Sequence, residues 1–362
     1  MDKLQHKHLY VETRIQESIK HREVDEKIPG ERVFAKDLGV SYMTARKAVD
    51  SLVAKGVLYR IPKKGTYVAD RSVIQSKTKN IGYFLDNSIR GGLASPYYSV
   101  IFDAIEKEAT KNGYGLIYFS DICESNVIKR MEKIDGVIIS CFPRLESIVR
   151  KISALTPVIC VDNCSADKST PSVTIDNFHA VVESVDYLFS LGHTRIGFIT
   201  GLDDSDVGKD RFAGYISALN SHGIDEDIEL VFKGDYSFDT GANGADYFLS
   251  LDRQPTAIVC ANDSMAIGAI KAISQRGLLV PDDISVIGFD DIPVAAQMTP
   301  SLTTVSAPVE RIAKESVKML NSILYGHDLE HRHISLPGKL VLRNSCAAIN
   351  NSSLNVSKLK NY

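Results

Sequence analysis

From Asn80 to about Phe289 the sequence alternates short apolar runs with helical stretches, and this alternation leaves few possible folds. Near-continuous apolar runs predict strands that are buried on both faces, as in parallel sheets covered by crossover helices. The first set of runs lies at 81–85, 115–119, 136–139, 157–161 and 172–175, and the second at 196–199, 230–232, 257–260 and 285–289. Two such sets predict two α/β subdomains with parallel sheets.

Helical periodicity fills the segments between these runs, at 99–112, 178–191, 211–222, 240–251 and 264–277. In open parallel sheets, ligands bind outside the carboxyl ends of the strands. The sequence therefore predicts a binding cleft between the two subdomains, lined by residues that directly follow strands.

The first 70 residues show a different pattern. A first helix is indicated by apolar residues that recur on one face, Val11, Ile15 and Ile19. A break at Ile28–Gly30 precedes a second short helix through Val33, Phe34 and Leu38. Gly39 supplies a tight turn, and Ser41 is a suitable N-cap for a third helix.

The third helix is expected to bury Ala45, Val49, Leu52 and Val53 and to end at Gly56. Two short strands follow at 58–60 and 66–68, and the basic turn 62–65 joins them. Three helices and a basic hairpin in this order predict a winged helix-turn-helix domain of the α+β class.

A helix of this kind fits the major groove of DNA and presents its N-terminal residues to the base edges. The candidate contacts on the third helix and the wing are Ser41, Tyr42, Met43, Thr44, Arg46, Lys47, Lys63 and Lys64. Arg46 can donate to two acceptors of guanine, whereas a hydroxyl or Lys47 suits phosphate. Each polar residue alone fits a solvated helix face better, but the whole set favours DNA binding.

The charge distribution supports the same interpretation. Residues 1–79 hold 17 lysines and arginines against 10 acidic residues, whereas the remainder holds 25 basic and 35 acidic residues. A basic end on an acidic chain suggests contact with nucleic acid or another anionic surface. The charged N-terminus lacks the apolar core of a signal peptide, and the six cysteines show no metal-site spacing. We therefore expect a cytoplasmic protein with reduced thiols and without membrane, metal or cofactor.

Three motifs of the N-terminal region resemble the GntR family of winged-helix regulators: IPGER at 28–32, LGVSYMTARKAV at 38–49 and KGTYV at 64–68. The resemblance covers about residues 10–69. It implies that Arg32, Thr44 and Arg46 contact DNA and that Gly65 lets the wing backbone approach it. The chain departs from the family's usual Leu-Pro-Ser at 28–30 and from its arginine at Tyr42, which implies a different operator.

Polar and aromatic residues that follow the predicted strands are the pocket candidates: Asn87, Tyr97, Tyr98, Asp121, Cys141, Asp162, Arg211, Phe238, Asn262 and Asp290. Carboxylates and amides can bridge vicinal hydroxyls, arginine can donate to ring oxygens, and aromatic rings can cover the apolar faces of a sugar. Other interpretations stay open, because Asn262 suits a helix N-cap, Arg211 a surface helix, and the two tyrosines a core.

The second region resembles the effector domain of LacI/GalR repressors, which is itself similar to periplasmic sugar-binding proteins. The motifs are VTIDN at 173–177, LGHTRIGFI at 191–199, RFAGY at 211–215, PTAI at 255–258, ANDSMAIGA at 261–269, PDDISVIGFDD at 281–291 and PSLTTV at 300–305. The resemblance implies that Arg211, Asn262 and Asp290 hold the effector, that Phe238 stacks on it, and that the chain crosses between subdomains three times. The DNA-binding domain and the hinge helix that LacI/GalR repressors usually carry are absent from this sequence.

Together these features predict a winged-helix domain at 1–70, a linker at 71–79, an effector-binding and dimerisation domain at 80–348 and a disordered tail at 349–362. Subdomain one is expected at about 80–174 and 305–335, and subdomain two at about 175–304 and 336–348. The predicted function is a ligand-responsive transcription regulator that binds operator DNA as a homodimer and is released by a sugar. The alternatives are a non-secreted sugar-binding protein and an α/β enzyme. Against the enzyme, the sequence lacks GxSxG, HExxH and GxxxxGK[ST] motifs.

Overall fold

The computed structural model describes residues 2–19, 22, 26–54, 57–61, 64–68, 78–85, 91–120, 127–140, 146–163 and 169–349. The chain forms two compact units, Met1–Lys79 with Asn321–Leu329 and Asn80–Leu320 with Glu330–Tyr362. Residues 350–362 of the predicted tail 349–362, residues 71–77 of the predicted linker 71–79 and the helix-ending Gly56 lie outside the described residues. Among those that are described, no helix is both long and apolar enough to cross a membrane.

The first unit begins with the helices α1 (Asp2–Ile19), α2 (Glu31–Asp37) and α3 (Tyr42–Ala54), followed by the antiparallel strands β1 (Leu58–Ile61) and β2 (Gly65–Val68). Gly39 turns the chain between α2 and α3 with a φ of 62°, a conformation that costs glycine little. The Ser41 hydroxyl accepts a hydrogen bond from the Thr44 amide at 3.1 Å, as an N-cap does.

One apolar core joins these five elements, and its buried members are Val11, Ile15, Ile19, Ile28, Phe34, Ala45, Ala48, Val49, Leu52, Leu58 and Val68. The predicted face of α1 packs on α3, as its spacing requires. Val53 is only half-buried and Val33 is 46% exposed, so α2 contributes Phe34 to the core rather than Val33.

A third chain segment pairs with the hairpin. The Ile28 amide donates to the Thr66 carbonyl, and the Val68 amide donates to the Glu26 carbonyl. Lys27 bridges to Tyr67 in antiparallel register. Residues 26–28 therefore add an edge to the wing, a feature that the sequence pattern did not predict.

The second unit contains two six-stranded sheets. The first sheet has the order β13-β7-β6-β5-β3-β4 and is parallel throughout. Its strands are β3 (Asn80–Leu85), β4 (Gly115–Phe119), β5 (Gly136–Ser140), β6 (Val158–Val161), β7 (Ser172–Asp176) and β13 (His333–Pro337).

The second sheet has the order β14-β12-β11-β10-β8-β9, and only β14 runs antiparallel to its neighbour. Its strands are β8 (Ile196–Ile199), β9 (Val231–Phe232), β10 (Ala257–Cys260), β11 (Ser285–Asp290), β12 (Thr303–Ser306) and β14 (Lys339–Val341). These two sheets, with the winged helix, confirm the predicted fold class.

The helices of this part of the chain are α4 (Pro96–Lys111), α5 (Val127–Met131), α6 (Glu146–Ser153), α7 (Asn177–Ser190), α8 (Asp206–Ser221), α9 (Phe238–Ser250), α10 (Asp263–Gln275), α11 (Pro293–Gln297) and α12 (Val309–Leu324). α8 begins five residues before the predicted start at Arg211, because the Ser205 hydroxyl caps it by accepting from the Gly208 amide.

The chain crosses between the two sheets three times, after β7, after β12 and between β13 and β14. The last crossing is a single residue, Gly338. A Cβ atom at that position would lie 2.7 Å from Val305 Cγ1, so the close approach of the backbone requires glycine.

Candidate functional site

The N-terminal part of α3 presents the side chains that the sequence predicted for DNA contact. Met43 is 57% exposed and Tyr42 is 42% exposed. Arg46 and Lys47 are exposed one turn later, and Arg32 is exposed on α2. Thr44 is half-buried, and its hydroxyl lies 2.8 Å from that of Ser41. The Ser41 hydroxyl is therefore occupied by the helix cap, which leaves it less free for phosphate than predicted.

Ion pairs join α2, α3 and β1 next to this surface. Arg60 on β1 donates to Asp50 of α3 at 2.6 Å and to Glu31 of α2 at 2.8 Å. These carboxylates raise the pKa of Arg60, although its partial burial acts in the opposite direction. The other oxygen of Asp50, Oδ2, lies 3.8 Å from Arg46 Nε. Arg46 is thus close to an orienting carboxylate without being locked by it.

The described part of the wing includes part of the predicted basic turn. Lys64 is exposed, and Gly65 adopts a φ of 133° that favours glycine. Lys63 lies outside the described residues. The Tyr59 and Tyr67 rings stack on the hairpin with centroids 5.6 Å apart.

A second candidate site lies between the two sheets, where the first sheet contributes three groups. Tyr97 and Tyr98 begin α4, and their hydroxyls donate to the Asp162 carboxylate at 2.8 Å and 3.4 Å. Asp162 directly follows β6 and has a φ of 71°. Burial raises the pKa of Asp162, and the two tyrosine hydrogen bonds counteract this only in part. The tyrosines are therefore buried, as the core alternative required, but they also hydrogen-bond a pocket carboxylate.

Arg211 is the central cation from the second sheet. It is 3% exposed, so the surface-helix alternative is wrong. Its Nε donates to Asn177 Oδ1 at 2.8 Å, and its Nη1 donates to the Ala261 carbonyl. Its Nη2 lies 3.6 Å from Asp290 Oδ1. The guanidinium also covers the Phe289 ring at 3.6 Å, within the range of a cation–π contact.

Asp290 ends β11 in a backbone conformation that is rare outside glycine. Its φ is 109°, and that of Asp291 is 58°. Such residues persist only where their surroundings hold them. Here Arg343 donates to Asp291 at 2.6 Å, and the amide of Ile292 donates to Asp263 at 2.8 Å. Burial raises the pKa of Asp290 well above its ordinary value, although Arg211 opposes this shift.

Tyr236 belongs to the same cluster, although the sequence analysis did not single it out. Its φ is 66°, and its ring lies on Gly201, where a Cβ would be 2.1 Å from Cζ. Its hydroxyl is buried, and among the described residues no partner meets hydrogen-bonding geometry with it, although Ser205 lies near enough to lower its pKa. Burial raises its pKa, while the charge of Arg211 lowers it. A buried, unsatisfied hydroxyl in a cleft is a group that a polar ligand can satisfy.

Asn262 supports this tyrosine as well as a helix. Its Oδ1 accepts from the Met265 amide at 2.9 Å, so it is the N-cap of α10, as the alternative interpretation held. Its Nδ2 donates to the Tyr236 carbonyl at 3.0 Å. The capping and pocket-forming interpretations of Asn262 are therefore compatible.

The remaining predicted ligand contacts are placed elsewhere or not described. Phe238 begins α9 and is 36% exposed, and the ammonium of Lys271 lies 5.3 Å from its ring centroid. Among the described residues, Phe238 contacts Lys271 and no contact with Arg211 is seen, whereas the charge of Arg211 acts on Tyr236, two residues earlier. Asn87, Asp121 and Cys141 lie outside the described residues. Within the part of the chain that is described, no group of three or more potential ligands could hold a metal ion.

The sequence analysis also did not single out Asp263, which lies at the start of α10. It is fully buried, and it accepts from the Thr304 hydroxyl at 2.5 Å as well as from Ile292. Burial raises its pKa to about 7, although these hydrogen bonds counteract the shift. A Cβ on Gly288 would lie 2.1 Å from its Oδ1, so glycine makes room for this carboxylate.

The raised pKa of Asp263 predicts a pH-dependent stability. Because the folded protein binds this proton more tightly than the unfolded chain, stability from this group is present at pH 4 and is lost as the pH rises through about 7. Asp263→Asn can keep both hydrogen bonds. Its free energy of unfolding is expected to rise relative to that of the parent protein as the pH increases over this range. The gain is at most about 4 kcal/mol. Urea titrations between pH 5 and 8 measure it, and parallel pH profiles would contradict it.

Comparisons with known proteins agree with both predicted domains. Residues 9–68 match the model of the gntR family of bacterial regulatory proteins, and residues 185–346 match that of a periplasmic binding protein-like domain. The chain is similar to the HTH-type transcriptional repressor CytR of Escherichia coli, with 30% identity over 266 residues, which are 71% of this chain and 77% of that repressor.

Two solved structures show the same fold. A sugar-binding transcriptional regulator of the LacI family from Escherichia coli, complexed with phosphate, is 31% identical, with a TM-score of 0.64 over 75% of this chain and 99% of that one. The transcription regulator CcpA of Lactococcus lactis is 26% identical, with a TM-score of 0.67 over 75% of this chain and 100% of that one.

Proposed function

This chain belongs to the LacI-type family of transcriptional regulators, with a gntR-family DNA-binding domain at residues 9–68, and we propose that it represses carbohydrate-utilisation genes until an uncharged sugar binds its cleft. Membership of a family of DNA-binding regulators means that the chain is not an enzyme. The observation that carries the choice of effector is the buried cluster of Tyr97, Tyr98, Asp162, Arg211 and Asp290.

The chemistry of this cluster suits a polyol. Asp162 and Asp290 supply acceptors for sugar hydroxyls, and the guanidinium of Arg211 has donors left after its bonds to Asn177 and Ala261. The buried hydroxyl of Tyr236 needs a polar partner. The tyrosine rings offer flat apolar faces, of the kind that the C–H faces of a sugar ring cover.

The charge of the cluster favours a neutral effector. Two buried carboxylates face one buried guanidinium, and burial already raises the pKa values of both Asp162 and Asp290. A phosphate group would bring further negative charge next to these carboxylates, and like charges in a desolvated site repel strongly. An uncharged sugar avoids this cost.

Operator binding as a homodimer follows from the geometry of DNA recognition. A single winged helix reads a short half-site, and a two-fold dimer matches two half-sites. Effector binding between two subdomains that are joined by three crossings favours their closed arrangement. A ligand that binds the closed state more tightly shifts the equilibrium towards it, and we propose that this state releases the operator. The protein is proposed to act in the cytoplasm, where its operator is.

A thermal-shift screen of the full chain against neutral sugars, sugar phosphates and purines tests the effector class. A neutral sugar at about 100 times its dissociation constant is expected to stabilise the protein by about 2.7 kcal/mol. Tyr236→Ala is expected to abolish this shift. Phe238→Ala is the matched control, since this aromatic lies outside the cluster, and it should keep the shift.

Two outcomes would contradict the proposal. A selective shift with phosphorylated sugars or purines would remove the neutral sugar as effector. Tighter operator binding in a gel shift with the effector present would reverse the proposed sign of regulation, even if the sugar binds as expected.

A further inference from the structure

The edge segment 26–28 brings a residue that precedes the helix-turn-helix next to the tip of the wing. Two backbone hydrogen bonds, from Ile28 to Thr66 at 3.0 Å and from Val68 to Glu26 at 2.9 Å, fix the register of this segment against β2. Lys27 stands opposite Tyr67 in that register. Its position is therefore set by the ladder and not by a mobile loop.

The Lys27 side chain lies against the backbone of Gly65. A Cβ atom on Gly65 would lie 2.6 Å from Lys27 Cε and 3.3 Å from Lys27 Nζ. Any side chain at position 65 would thus displace the end of this lysine. Gly65 is kept not only for its φ of 133° but also for the space that the lysine occupies.

The ammonium of Lys27 consequently lies at the wing tip, next to Gly65. Lys27 is exposed, and so is Lys64, which directly precedes Gly65 in the chain. The carboxylate nearest in sequence, Glu26, is paired with Arg22. Two lysines thus flank one glycine on a hairpin of a domain whose first 79 residues carry an excess of positive charge.

We propose that Lys27 and Lys64 form a phosphate-binding pair at the wing tip, in which Lys27 binds the DNA backbone from outside the helix-turn-helix. The ammonium is a compact donor that suits phosphate oxygens and carries no sequence information. The contact strengthens binding to every duplex alike and orients the wing relative to the groove that α3 reads. It does not depend on the identity of the effector.

Lys27→Met tests the pair, because methionine keeps an unbranched side chain over Gly65 and removes the charge. The full chain is titrated against two short duplexes, one selected by the parent protein from a random-sequence library and one with that sequence scrambled. Each lost phosphate contact lowers the slope of log affinity against log salt by about 0.9. The variant is expected to show this decrease for each bound protomer, and to bind both duplexes roughly tenfold more weakly per protomer near 0.1 M salt.

Two matched variants separate this contact from other effects. Lys27→Arg keeps the charge and should restore the parent slope. Lys314→Met removes the same charge from an exposed position on α12 and should leave the slope unchanged. The proposal is overturned if Lys27→Met binds both duplexes with the parent's slope while its melting temperature is that of the parent. A loss confined to the selected duplex would also overturn it, because that result would make Lys27 a base reader.

Discussion

Arg211→Met is expected to abolish the response to effector and to destabilise the second unit by about 3–5 kcal/mol, the usual cost of breaking a buried ion pair. Arg211 is 3% exposed and Asp290 only 6% exposed at the side chain, so solvent does not replace the lost partner. The substitution also leaves the acceptors of Asn177 and Ala261 without their donor. Urea unfolding of the apo protein measures the stability, and the thermal-shift screen measures effector binding.

The double variant Arg211→Met/Asp290→Asn is the control for this prediction. If the uncompensated Asp290 carboxylate causes the instability, the neutral amide should restore much of the unfolding free energy without restoring effector binding. A single variant that keeps both the parent stability and the effector response would show that Arg211 is not the central cation of the site.

Arg46→Ala is expected to cost about 1–3 kcal/mol of operator affinity for each half-site, because a bidentate contact with guanine discriminates by that amount. The side chain is exposed on α3, and its ion-pair contact with Asp50 is long, at 3.8 Å. Affinities for the selected duplex and for versions with each base pair replaced measure the effect. The variant should lose its preference at one base pair of each half-site.

Lys47→Ala provides the contrast, since a phosphate contact weakens binding to all of these duplexes to the same extent. If Arg46→Ala also weakened all duplexes equally, Arg46 would be a backbone contact, and base reading would fall to the exposed Tyr42 and Met43 at the start of α3.

The sequence was sufficient for the sheets and the recognition helix because their signals are local and repeated. Apolar runs such as 81–85 and 285–289 became central strands, and the spacing of Val11, Ile15 and Ile19 became the packed face of α1. The last three strands, β12, β13 and β14, were not predicted. The segment of β13, HISLP, alternates but has only two apolar residues and ends in proline, and that of β14 has three residues, so their pairing with distant strands is what makes them strands.

The candidate site was predicted less completely, for a physical reason. Asp162, Arg211 and Asp290 follow or face strand ends, and this topological rule located them. The strand before Tyr236, β9, was predicted at 230–232, but Phe238 was selected after it and not Tyr236, because the strand pattern does not tell which of the two aromatic residues enters the cleft. Asp263 is recognisable only through its burial against Gly288 and Thr304, which are distant in sequence.

The order of the strands has a consequence for synthesis of the chain. The DNA-reading unit takes its core from residues 11–68, whereas each sheet of the second unit receives an edge strand only from residues 333–341. Since N-terminal units fold first during translation, the nascent protein can form a complete DNA-binding unit before either sheet has received its last strand. A frameshift or stop codon shortly before His333 would then leave the DNA-binding unit without a complete effector-binding unit. Such truncated products would be expected to contact single half-sites without responding to an effector.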